Sequence, residues 1–299
     1  MIACSMRAQK YLAIVLGLFA ASLSHARAEE ADKGGEPKER LDTQFIFGFT
    51  AGADVGELGE KELEHQTAAQ WSKRGGSYAA LTDQLRFENS PVPNFRFEIG
   101  APIAYYNISG VTGLDDRNQG SSNGIVSEFR YRLFDRDHAP FALTLGAEPH
   151  WNRTDETSGE RVDNYGGELS VALDKELVRD RVFAAVNVVY DPEVTRSRGQ
   201  WEHDSTLSVA TSITTQVLPG AFVGAEARYS RKYDGLGLDA LLGQAFFVGP
   251  TTFVRLSKSF AISAAWSIQV AGHAADIPGS LDLTRFTRHQ ALLRMEYNF

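Results

Sequence analysis

The segment RHQALLRMEYNF, residues 288–299, sets Leu293, Met295, Tyr297 and Phe299 against Arg294, Glu296 and Asn298 in strict alternation. A period of two is the signature of a β-strand, whose successive side chains point to opposite faces. One face of this strand is oily and the other carries full charges, so the two must meet different surroundings.

The same pattern recurs upstream. GIVSEFRYRLF opposes Ile125, Phe129, Tyr131 and Leu133 to Glu128, Arg130 and Arg132. QFIFGFTAGADV, NFRFEIGAPIAYY, GGELSVALDKEL and FAISAAWSIQV alternate likewise, and no amphipathic helix interrupts them. Twelve strands are expected, at about 43–56, 77–89, 94–106, 124–134, 141–151, 165–176, 182–190, 204–216, 221–230, 241–256, 260–270 and 288–299. VFAAVNVVY is apolar on both faces, and Gly249-Pro250 suggests a bulge or break within its segment. Short connections at SPVP, FDRDHAP, KELVRDR, VLPG and SKS alternate with longer polar ones near 57–76, 107–123, 152–164, 191–203, 231–240 and 271–287.

An even number of strands near the crossing length, with alternating short and long connections, predicts an all-β, transmembrane, antiparallel up-and-down barrel of about 12 strands. Hydrocarbon offers backbone groups no partner, so a sheet spans it only by closing on itself. A soluble sandwich would use the same alternation with its apolar face buried. The closing strand resembles the C-terminal strand of bacterial outer-membrane barrel proteins, which typically ends in Phe and is read by the assembly machinery. The residues carrying that resemblance are Leu293, Met295, Tyr297 and Phe299. It implies the outer membrane of a Gram-negative bacterium, with short periplasmic turns and longer extracellular loops.

The first 28 residues read as a cleaved export signal: Arg7 and Lys10, an apolar core at 11–23, then small residues at Ala26 and Ala28. Residues 29–42 read as a flexible periplasmic leader and 43–299 as the barrel. Removing Arg7, Lys10 and Arg27 from 30 basic residues leaves 27 against 38 acidic ones, a formal charge of −11. Such an acidic chain excludes nucleic acid as a partner. The lone Cys4 leaves with the signal, so no disulfide is expected.

Pointing the polar faces inward gathers Arg86, Arg96, Arg130, Arg132, Arg228, Arg255 and Arg294 with Glu98, Glu128, Glu148, Glu168, Asp174, Glu226 and Glu296 as lumen-lining residues. Facing rows of both signs either line an aqueous path for small polar solutes or pair across the lumen and fill it. The expected function is a porin-like barrel passing small hydrophilic solutes. The alternative is a non-conducting structural or surface-binding barrel. Expected partners are outer-membrane lipid and the barrel-assembly machinery, with the oligomeric state left open. A lipid acyl hydrolase is a third reading, through Ser121, Ser122 and Asn123 of GSSNGIV; however, no histidine lies one or two residues ahead of either serine, and His150 sits far off. No nucleotide fingerprint, CxxC or HExxH occurs, so neither cofactor nor metal nor catalytic residue is predicted.

Overall fold

In the strand Ile125–Phe134, Phe129 and Tyr131 are 40% and 51% exposed, whereas Arg130 between them is 4% exposed. This inside-out arrangement, repeated around the sheet, separates a membrane barrel from a soluble sandwich. The computed structural model describes residues 41–299. The expected signal peptide with Ala26 and Ala28, and nearly all of the expected leader, lie outside the described residues.

Among the described residues there are thirteen strands: β1 (Lys61–Trp71), β2 (Ser77–Val92), β3 (Phe95–Ser109), β4 (Arg117–Ser122), β5 (Ile125–Phe134), β6 (Ala142–Thr154), β7 (Arg161–Val178), β8 (Val182–Ser197), β9 (Gln200–Leu218), β10 (Ala221–Asp234), β11 (Ala240–Arg255), β12 (Phe260–Ala274) and β13 (His289–Asn298). Every pairing is antiparallel, and β13 zips onto β1 from Glu62 opposite Asn298 to Trp71 opposite His289, closing the barrel. β4 and β5 run end to end along β3, so the wall has twelve staves.

The break between β4 and β5 is chemical in origin. Asn123 turns its Oδ1 to accept from the backbone N–H of Arg153 and Thr154 and from the Thr154 hydroxyl. Gly124 takes φ +94°, and a Cβ there would collide with the Trp151 carbonyl oxygen. The GSSNG run thus serves as a strand break. Gly124→Val should destabilise the barrel by about 1–3 kcal/mol, read as a lower guanidinium midpoint in detergent.

The first strand differs from expectation. Residues 43–56 are not a strand of the wall, and β1 comes from the stretch read as a polar connection. The chain at 43–55 folds back on itself, with Gly52 N–H donating to Gln44 O and Thr43 N–H to Asp54 Oδ2. Its Phe45, Ile46, Phe47, Ala53 and Val55 are buried. Gly48 (φ +86°) permits the bend; a side chain there would strike Thr251 Cγ2 at 2.7 Å and Ala265 Cβ at 2.8 Å. The barrel supplies an apolar inner wall nearby, where Phe183, Phe222 and Phe253 stack edge to face. That wall also explains VFAAVNVVY: Phe183 and Ala185 face inward while Val186 and Val188 are exposed outside.

One end of the barrel, where β1 starts and β13 finishes, carries the connections 93–94, 135–141, 179–181, 219–220 and 256–259. Connections at the far end are shorter than expected because the strands continue into them. The expected loop 191–203 is a hairpin with only Arg198 and Gly199 at its tip, both at positive φ, as a two-residue turn between twisted strands requires. Gly249-Pro250 does not end β11, which runs through it with a register irregularity nearby.

Candidate functional site

The lumen is the candidate site, and it has two zones. In the zone nearer the start of β1 and the end of β13, residues 43–55 cross the interior and touch the wall on all sides. Thr50 donates through its N–H and hydroxyl to Glu226 Oε2. Ala51 and Asn187 exchange two hydrogen bonds, at 2.6 and 2.8 Å. Ala53 N–H donates to Asp174 Oδ2 at 2.7 Å, and Thr144 donates back to Ala53 O. Arg130 donates to Gly52 O, Arg294 to Gly48 O at 2.7 Å, Ser212 to Phe47 O and Ser90 to Val55 O. Arg228 lies 4.4 Å from the Phe49 ring centroid, and Arg294 4.9 Å from that of Phe45. With the contacts of Gly48 to β11 and β12, the segment meets β2, β3 and β5 through β13.

Two ion-pair clusters anchor this zone. Asp54 pairs with Arg132 at 3.2 Å and Arg136 at 2.7 Å, and Arg136 reaches on to Asp174 and Thr43. Arg96, 3% exposed, pairs with Glu88, with Glu98 at 3.2 Å and with Glu62 at 3.9 Å, while also donating to Gln44. Three carboxylates converge on this one buried guanidinium, and removing it would leave buried charge poorly compensated. Arg255 and Glu296 lie at the rim below it, lining a small cavity of about 30 Å³ with Asp42 and Glu62.

The farther zone is carboxylate-rich. Arg86 bridges Glu98 at 3.2 Å, Glu148 at 2.8 Å and Glu128 at 4.0 Å. Glu168 stands opposite Glu148 in the β6–β7 register. Above them Lys232 holds Glu193 and Asp204, and His150 lies 3.8 Å from Glu193. The long connection 275–288 folds in over this end: Gln269, 1% exposed, binds Asp282 and Thr287, and Phe286 packs edge to face on Phe247.

Lys73, in the 72–76 connection, ties that fold down by donating to Thr284 O and Phe286 O. Burial pushes its ammonium down to about 8, against the pull of Asp282 and Asp155. An unfolded lysine keeps its proton to about pH 10.4, so the packed state releases it first. Stability of this contact therefore rises with pH between about 8 and 10.4. A spin label at Ser280→Cys should be less mobile at pH 10 than at pH 7.

The structure places the sequence-predicted lining residues on the inner face and joins most of them in these contacts. Arg130 and Arg132 bind the inserted segment and do not stand free toward a solute path. Leu293, Met295, Tyr297 and Phe299 share the outer face of β13, where Tyr297 and Phe299 are 51% and 66% exposed. Sequence reasoning missed the inserted segment with Gln44, Thr50 and Asp54, and missed Glu62, Arg136, Glu193, Asp204, Lys232 and Glu64, which lies 3.8 Å from Arg294. Two signals pointed to the segment: Gly48 and Gly52 inside a supposed strand, and a 20-residue connection, 57–76, too long for a compact barrel.

The architecture is shared with solved outer-membrane barrels. An outer membrane channel from Pseudomonas putida F1 superposes with a TM-score of 0.54 at 12% identity, covering 83% of this chain and 98% of that one. The beta domain of the Bordetella autotransporter Brka gives 0.50 at 11% identity, covering 81% and 100%. These likenesses establish a transmembrane β-barrel fold. No protein of curated function matches the sequence. Across residues 40–299 the sequence matches one family throughout, and the chain belongs to it: the family of unknown function DUF6662.

Proposed function

We propose that this chain is an outer-membrane channel for small hydrophilic solutes in a Gram-negative bacterium, stoppered by its own residues 43–56. In this reading the end where β1 starts and β13 finishes faces the periplasm and the far end faces outside. The observation that carries it is the chemistry of the inserted segment. Beside its buried Phe45, Ile46 and Phe47 it is held by many hydrogen bonds and ion pairs to wall residues, contacts that water can replace as the segment leaves. A core meant only to fill a barrel is better made of apolar groups, because buried ion pairs add little net stability over apolar packing.

Ion preference follows from the farther zone. Glu128, Glu148, Glu168, Glu193 and Asp204 share that space with Arg86, Lys232 and His150, an excess of carboxylate. A ring of negative charge favours cations. Purified protein in a planar bilayer with a salt gradient should therefore show a reversal potential of cation-selective sign. Glu148→Gln with Glu168→Gln should move it toward zero. The competing reading, a filled structural barrel, is favoured by the inward-folded 275–288 connection. Silence at every voltage from a correctly folded barrel, with residues 43–56 deleted, would decide for that reading.

A further inference from the structure

We propose that two copies of this chain associate side by side in the membrane through a polar patch on the outer wall made by His65, Thr67 and Asp83. All three residues point outward. Their strands pair Leu63 with Phe87, His65 with Leu85 and Thr67 with Asp83, and Leu63, Leu81, Leu85 and Phe87 on the same face are 37–52% exposed. His65 Nε2 lies 2.8 Å from Asp83 Oδ1, and the Thr67 hydroxyl donates to the same oxygen at 2.7 Å. The His65 and Asp83 side chains remain 38% and 41% exposed.

The depth of this patch can be read from aromatic rings. At the rim where β13 finishes Phe87 meets Phe299, 6.4 Å between centroids. At the far rim Trp71 and Trp266 stack on either side of His289 at 5.2 and 5.8 Å. Thr67 stands four residues from Leu63, beside the first rim, and four from Trp71, at the second. The rims are about 20 Å apart along a strand rising ~3.3 Å per residue and tilted ~40°. The carboxylate thus sits near the middle of the apolar band, where ionisable groups are rare and call for a partner. Lipid at that depth is acyl chain, with neither headgroup nor ester to meet.

A second copy fits better than any other occupant because the patch complements itself. Two barrels related by a twofold axis along the membrane normal present the same surface at the same depth. Within each copy the Thr67 hydroxyl and His65 Nε2 already meet Asp83 Oδ1, so each offers its partner the second imidazole nitrogen and the Asp83 Oδ2 lone pairs. His65 of one protomer can then approach Asp83 of its partner. The inference rests on the membrane-barrel fold and holds whether or not the lumen conducts.

The test is oxidative cross-linking of the full chain in native membranes, in a Cys4→Ser background. Ala69→Cys places a thiol beside the patch; Val188→Cys, exposed on another stave, is the control. A band of twice the chain mass is expected for Ala69→Cys and not for Val188→Cys. Adding Asp83→Asn or His65→Ala should lower its yield by about three- to fifteen-fold, the range of single polar contacts between membrane segments. Heat-modifiable migration on gels shows that each variant is folded. Equal yields from Ala69→Cys and Val188→Cys would overturn the proposal, as would a cross-linked band of another mass. A yield indifferent to both Asp83→Asn and His65→Ala would overturn it too.

Discussion

A variant lacking residues 43–56 is expected to fold into the same barrel and to conduct at least about tenfold more than the full chain, since the segment crosses the lumen where a solute path would run. The wall does not depend on the segment for its backbone pairing, because β1 and β13 close the sheet independently. The deletion does strand Glu226, Asp174 and Asn187 without their inward partners, but they would then face water. A reversible version avoids any change of length. Ala51→Cys with Asn187→Cys, positions that exchange two hydrogen bonds, should lock the channel when oxidised and release it on reduction. Conductance unchanged by both manipulations would remove the segment from any gating role.

The second large effect concerns Arg96. Replacement by Met takes the guanidinium away from buried Glu62 and Glu88, leaves Glu98 with Arg86 alone, and leaves Gln44 without its donor. Breaking a buried pair by removing one partner costs about 3–5 kcal/mol. The Arg96→Met barrel should therefore unfold at a clearly lower guanidinium concentration in detergent micelles. Adding Glu88→Gln and Glu98→Gln should recover part of the loss. A single-variant midpoint equal to the native one would show that the cluster is already neutralised by other means.

Much of the wall was legible because lipid imposes a simple rule on each strand. Ile125, Phe129, Tyr131 and Leu133 had to share a face that water would not accept, and the charges between them had to turn inward. Closure was legible for the same reason. The first strand was not. KELEHQTAAQW hides its period because its outward positions include His65, Thr67 and Ala69, which scarcely differ in polarity from inward Gln66 and Gln70. QFIFGFTAGADV displays the period plainly but answers to an apolar patch inside the lumen, a surrounding that only tertiary structure creates. The lining charges could be listed from alternation; their pairing could not, since Arg86 reaches Glu148 across 62 positions of chain. Loop lengths erred because Arg198-Gly199 is a hairpin tip whose flanking polar residues resemble loop.

The two limbs of the inserted segment are pinned together at Thr43–Asp54 and Gln44–Gly52, and residues 57–60 lead straight from it into β1. Its entrance and exit therefore share one doorway. Nothing has to be threaded for it to leave: a tug on the chain ahead of Thr43 would peel the loop out as a bight of rope slips from a ring, and slack would let it return. Mechanical work applied at that doorway could thus withdraw the segment without a single wall strand changing register.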